Sequence, residues 1–277
     1  MPSPALPITI VTATLAGGPR GNQDHVVVTD RAVALLDGAT SWLPQDPARD
    51  GGWYARVLGA ALTTRLDGTG RTVAQLVADA ITDVAERHHL LAGECPSSTL
   101  TIARWGPETV ELYTLGDSPA VVYPEGRHPV LVYDDRLDQV GAGHHDAYWD
   151  HLRAGNGYDD RLAELIAQLQ LAEREQRNRA GGYWIAEAEP AAAAEAATAT
   201  FPRAEVRAVL LASDGAAADV LDYHRNDWPD VFEFLTQASP AAYLRDIHAA
   251  EDADYDGRWW PRPKRHDDKS LAWISFD

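Results

Sequence analysis

Residues 98–123 read STLTIARW, GPE, TVELYTL, GDSP, AVVY. Three β-rich runs, Ser98 to Arg104, Thr109 to Leu115 and Ala120 to Tyr123, are separated by Trp105-Gly106-Pro107 and Gly116-Asp117-Ser118-Pro119. Those separators are turn formers and leave no room for a crossover helix, so the stretch reads as an antiparallel meander. Upstream, strand-like runs cover Ile8 to Leu15, His25 to Thr29 and Ala32 to Leu36. Two helical patterns follow. One runs from Gly51 to Leu66; in the other, Thr72 and Gln75 can form a capping box ahead of a stripe of Val73, Leu76, Val77, Ala80, Ile81 and Val84. Downstream, Val206 to Ala212 reads as a strand buried on both faces, helices recur near Trp228 to Leu235 and after Ser239-Pro240, and Leu271 to Phe276 closes as a strand. Strands, two helices, strands, helices and a last strand lack βαβ alternation and fit layered α+β. Tyr133 to Gly182 is polar and reads as an insertion whose charged helix carries Leu162, Leu165, Ile166 and Leu169. Residues 191–197, bracketed by Pro190 and Pro202, read as a connector or short helix. The 277 residues are taken as one domain, residues 1–277, with the insertion at 133–182.

Forty-two acids against 24 bases give a net charge of −18. Phosphate backbones and anionic lipid repel such a chain, which argues against nucleic-acid and membrane-surface roles. At 45% hydrophobic the chain supports a sizeable core, and it has no apolar run near the ~20 residues of a membrane span. Met1 leads into Pro2, Ser3 and Pro4 without a signal-peptide pattern, and the single Cys95 has no internal disulfide partner, so the expected address is the cytoplasm. Arginine-heavy, lysine-poor usage with abundant Ala hints at a GC-rich bacterial genome. Oligomeric state is not legible.

Aspartates sit at the ends of apolar runs. They are Asp37 in Leu35-Leu36-Asp37-Gly38, Asp117 after Leu115-Gly116, Asp214 in Ala212-Ser213-Asp214-Gly215, Asp267 before the closing strand, and Asp24 after Asn22-Gln23. Each alone is an ordinary turn former. Gathered at ~5 Å, each pair would repel by roughly 3 kcal/mol at an effective dielectric of ~20, so a cluster of them needs cations. Oxygen-only ligation favours Mg²⁺ or Mn²⁺ over zinc.

The order Gly21-Asn22-Gln23-Asp24, Asp37-Gly38-Ala39, Ser97-Ser98-Thr99, Gly116-Asp117-Ser118, Ala212-Ser213-Asp214-Gly215 and Asp267-Asp268-Lys269-Ser270 resembles the metal-dependent protein phosphatases, the type 2C serine/threonine phosphatases. The resemblance spans nearly the whole chain. It implies an α-β-β-α sandwich, two antiparallel sheets with helices outside, and a centre of two Mn²⁺ or Mg²⁺ ions at one sheet edge. By position Asp37 would bridge both ions, with the Gly38 carbonyl on one. Asp214 and Asp267 would complete the first ion's shell, Asp24 would serve the second, and Asp117 with Asp214 a third, looser site. The chemistry implied is hydrolysis of phosphoserine or phosphothreonine in proteins by a hydroxide bridging two ions ~3.5–4 Å apart. Asp37, Asp214 and Asp267 would be its catalytic core, Arg20 a phosphate partner and the 133–182 insertion a flap.

Departures from the pattern support a second expectation, a phosphatase-like regulatory or binding module without turnover. Gln23 stands where most members have Glu, and Ala39-Thr40-Ser41 follows Asp-Gly where animal members place a His as general acid. Leaving-group protonation then falls to metal-bound water, with His25 second. Pro119 replaces the usual Arg after Gly-Asp-Ser.

Other chemistries fit less well. Cys95 lacks the Arg six residues on that a cysteine phosphatase needs, since Thr101 stands there, and reads as a buried structural thiol. Asp252 to Gly257 copies half a calcium loop but has Pro263 where Glu is required. His144-His145-Asp146 with His266-Asp267 suggests an all-helical metal phosphohydrolase that the strand runs oppose. The only lysines, Lys264 and Lys269, exclude a Walker loop. Trp259 and Trp260 read as core anchors.

Overall fold

The side chains of each long strand alternate between two apolar environments, and this places every layer. The computed structural model describes residues 8–19, 21–39 and 47–276. One sheet has the order β1 (Ile8–Leu15), β10 (Lys269–Phe276), β9 (Val206–Ala212), β6 (Ala120–Pro124), β7 (Val130–Val132). The other runs β2 (His25–Val28), β3 (Ala32–Gly38), β4 (Ser98–Trp105), β5 (Thr109–Leu115), β8 (Ala197–Pro202). All neighbours pair antiparallel.

In β3, Val33 and Leu35 join a core with Ala103, Val110, Leu112, Val209, Leu211 and Ile274, which packs the two sheets face to face. The intervening Ala34 and Leu36 join helices α1 (Gly51–Thr63) and α2 (Val73–His88) on the outer face. On the opposite outer face α6 (Asp214–Leu221), α7 (Trp228–Gln237) and α8 (Pro240–Ala253) cover Leu210, Leu271 and Trp273. The result is the expected four-layer α-β-β-α sandwich.

Local signals set the helix starts. Thr72 and Gln75 form the expected capping box, and all six apolar residues of the α2 stripe are buried, the Val, Leu and Ile side chains among them each worth ~1.5–3 kcal/mol relative to exposure. Ser239 caps α8, with Pro240 in its first turn. The stretch 133–182, expected to be an insertion, carries α3 (Arg136–Gln139), α4 (Ala142–Arg153) and α5 (Asp160–Gln176), whose Leu162, Leu165, Ile166 and Leu169 bury against Tyr148 and Leu152 in a small core of their own.

Some expectations need correction. Residues 98–123 are not one meander: β4 and β5 pair in one sheet, and Gly116-Asp117-Ser118-Pro119 carries the chain across to β6 in the other. Gly116 takes the left-handed conformation (φ +89°) that starts this crossing, and the buried Ser118 is held by Thr99 (Oγ to Oγ 2.6 Å) and by the Thr101 hydroxyl, which donates to its carbonyl. The place beside β5 goes to β8, a strand not expected from the sequence, which follows the short 3-10 helix Pro190–Glu195 formed by the 191–197 stretch. Trp260 packs against the α6–α8 core, but Trp259 is 70% exposed and anchors nothing there. Asp254 is buried and ion-paired with Arg262 at 2.8 Å, so the half calcium loop is a structural clamp. Cys95 is buried, and burial pushes its thiol up to about 11, as suits an inert thiol. No helix among the described residues is long and apolar enough to cross a membrane.

Candidate metal centre

The inter-sheet layer changes chemistry at one end. Continuing the alternation beyond the aliphatic residues, β3 presents Asp37, β4 Thr99 and Thr101, β5 Thr114, and β9 and β10 lead into Ser213 and Ser270. These hydroxyls are buried and tie the strand ends together. Asp37 pairs with Thr99 in register, Ser98 Oγ donates to the Asp37 carbonyl (2.8 Å), and Ser213 and Ser270 link β9 to β10 through two 2.9 Å bonds. Asp37, Asp117, Asp214 and Asp267, from four separate chain segments, line one cleft of about 350 Å³ there.

Close backbone contacts explain the glycines of the motifs. A Cβ on Gly215 would lie 2.3 Å from the Asp268 carbonyl oxygen, so the Asp214-Gly215 turn rests on the peptide that carries Asp267. Asp268, which no role was assigned from sequence, is a strut: its carboxylate accepts from Gly17 N (2.7 Å) and Gln23 N (2.8 Å) and binds the segment bearing Asp24 to the start of β10. Gln23 directs its amide to Asp50 (3.1 Å), the cap of α1.

The acids perturb one another strongly. Burial first, then the charges of Asp214 and Asp24, hold the Asp37 carboxyl well above the usual range, and a hydrogen bond with Asp214 adds to the rise. Asp214 is raised by burial and Asp267; water reaches it through the cleft mouth while protein packs its other sides. Asp117 is raised by burial, then by Asp214, Asp138 and Glu173. Asp24 is 8% exposed and pushed to about 7, mainly by burial. Neither of its oxygens has a hydrogen-bond partner; Ser270 Oγ faces it without reaching bonding geometry. An orphaned buried carboxylate beside three others suits a hard divalent cation, and the strand-end donors offer only oxygen.

One cation is built in. Lys264 Nζ lies 2.6 Å from Asp267 Oδ1 and also feels Asp214 and Asp37; burial alone would lower its pKa, but the acids raise it above the ordinary value. Lys269, the other lysine, bonds the Asp267 carbonyl at 2.9 Å. Sequence reading missed both roles, although two lysines flanking one aspartate in a chain that otherwise uses arginine were a visible signal. Among the described residues the one trio of His, Asp or Glu whose ligand atoms all lie within 4.8 Å is elsewhere, at His248, Asp252 and His266, so no three of the cleft acids meet that spacing together. His25 packs over Gly59 of α1 and is not part of the cleft lining, which removes it as a general acid there. Arg20 and residues 40 and 41 lie outside the described residues. Arg174 and Arg177 line the cleft from the insertion side and were not anticipated.

No protein-family model and no curated protein matches the sequence. Solved structures do. The Mycobacterium tuberculosis serine/threonine phosphatase PstP/Ppp matches with TM-score 0.56 at 17% identity, over 98% of this chain and 99% of that one. The catalytic domain of PstP in complex with two manganese ions gives 0.55 at 18%, over 97% of each chain. Stp1 from Staphylococcus aureus gives 0.55 at 12%, over 98% and 95%. This chain has the fold of the PPM serine/threonine phosphatases. The PPM-type fold thus comes with only distant sequence similarity.

A pH dependence follows for the metal-free protein. The folded-state pKa of Asp24, about 7, exceeds its ordinary 3.8. Its contribution is therefore most favourable below about pH 4 and is lost as pH rises through about 7, with a ceiling of about 4 kcal/mol. Glu173, raised to about 7 chiefly by burial, acts in the same direction. The metal-free melting temperature should fall between pH 5 and pH 8, and Mn²⁺ should raise it more at pH 8. A profile that is flat without metal and indifferent to Mn²⁺ would refute this.

Proposed function

We propose that the chain is a metal-dependent phosphatase of phosphoserine and phosphothreonine in proteins, using Mn²⁺ or Mg²⁺. The observation that carries it is the convergence of Asp37, Asp117, Asp214 and Asp267 on one cleft, with the unsatisfied Asp24 behind them. Asp37, the Gly38 carbonyl, Asp214 and Asp267 would hold one or both ions, Asp24 the second and Asp117 a third. When bound, such ions activate water and neutralise phosphoryl oxygens. The protein's part is to fix the acids on packed strand ends and to place Arg174, Arg177 and Lys264 where a phosphoryl group's charge would be met. The insertion forms one wall of the cleft and would act as a flap that contacts substrate.

Lys264 favours a second reading, a phosphatase-like binding module. Its ammonium already neutralises part of the acid cluster, which weakens the demand for an ion beside Asp267. Hydrolysis of p-nitrophenyl phosphate separates the two. A phosphatase turns over with Mn²⁺ and stops with chelator; folded protein without turnover at any Mn²⁺ or Mg²⁺ concentration would be the module.

A further inference from the structure

A second cluster of side chains able to ligate a metal lies outside the cleft lining. His248 and Asp252 occupy one face of α8, four residues apart, and His266 approaches from the segment before β10. His266 Nδ1 is 2.8 Å from Oε2 of Glu251, a carboxylate 1% exposed that also accepts from Lys269 Nζ (2.7 Å) and Tyr223 OH (3.0 Å). That carboxylate makes Nδ1 the donor, and a neutral His266 then turns its Nε2 lone pair toward Asp252 Oδ1 at 3.1 Å. Two acceptors at that distance need a cation between them, either a proton or a metal ion. The spacing is near the ~3.3 Å between neighbouring ligand atoms of a tetrahedral zinc site, and a buried carboxylate on the far nitrogen is the usual support of a metal-binding histidine.

His248 supplies a third donor. Its Nδ1 is buried without a hydrogen-bond partner. Burial, then His266 and Lys269, hold its imidazole toward the neutral form that ligates. The two rings stack with centroids 3.8 Å apart and planes 15° from parallel, which occupies ring faces and leaves edges available. A tilt of His248 about its Cβ–Cγ bond is needed to aim both edges at one ion. Imidazole donors select Zn²⁺-class ions over the Mg²⁺ or Mn²⁺ suited to the cleft.

We infer that His248, Asp252 and His266 form a transition-metal site, for Zn²⁺ with water as fourth ligand, separate from the acidic cleft. His266 immediately precedes Asp267, and Glu251 and Lys269 connect the site to the Asp267 carbonyl, so an ion there would brace the segment that carries that aspartate.

The test titrates chelator-stripped full-length protein with Zn²⁺, and with Co²⁺ as a spectroscopic probe, in excess Mg²⁺ to fill oxygen sites. One Zn²⁺ per chain should bind, and Co²⁺ should give visible d–d bands of a low-coordinate site. His248→Gln and Asp252→Asn should each weaken Zn²⁺ binding by about tenfold or more, while Asp214→Asn leaves it unchanged. Asp252 is 64% exposed at its side chain, so its variant keeps the fold and carries the test if His248→Gln does not fold. Absence of Zn²⁺ binding at neutral pH, or equal affinity in Asp252→Asn, would overturn the site and assign the bridging cation to a second proton on His266.

Discussion

Asp214→Asn should lower Mn²⁺-dependent hydrolysis of p-nitrophenyl phosphate by about 10³-fold or more, equivalent to about 4 kcal/mol, while the protein stays folded. Asp214 is the residue through which the cleft acids communicate: it accepts a hydrogen bond from Asp37 and raises Asp37, Asp117 and Asp24. An amide of the same shape can still accept from Asp37, so local geometry is kept. What disappears is a charge that a divalent ion would meet. The metal-free variant should also melt a few degrees higher than the parent, because one member of a repelling set is gone. Calorimetry with and without Mn²⁺, beside the turnover assay, reads both effects. Turnover within tenfold of the parent would remove Asp214 from the chemistry, whatever the melting temperature does.

Gly38→Ala should cost about 3 kcal/mol or more, the upper end for a forced insertion into packed structure, and lower the melting temperature by about 6–12 °C. The added Cβ would stand 2.3 Å from the carbonyl carbon of Gly51 and 2.5 Å from Gly52 N, and none of these backbone atoms can rotate away. Gly38 ends the strand that carries Asp37, and Gly51-Gly52 begins α1, so relief requires that helix to move off the sheet. Gly18→Ala is the control: its Cβ meets nothing within 4 Å, and it should change stability by no more than about 0.5 kcal/mol. Chemical denaturation of both variants decides. Equal stabilities would mean the β3–α1 junction is looser than its contacts indicate.

The cleft residues divide by how they could be known. Taken one by one, the aspartates at strand ends read only as ordinary turn formers, and it was their number and order that set them apart. Their common cleft was expected through the order of motifs. Asp268 and Lys264 were not read, since one acts as a backbone acceptor and the other as a tethered cation, roles fixed by neighbours 245 residues away in the first case and by a cluster from several segments in the second. The phosphate role expected of Arg20 lies outside the described residues.

By itself the sequence determined the local elements and their faces. Thr72 with Gln75 starts α2, the stripe from Val73 to Val84 must be buried, and Leu162 to Leu169 gives the insertion a small core, because propensity, capping and periodicity act over a few residues. The tertiary structure alone decided that β6 leaves the sheet of β4 and β5, that β8 replaces it, and that residues 37, 117, 214 and 267 meet. Pairing partner and register depend on which distant surfaces bury best together, and spacing along the chain does not encode that distance.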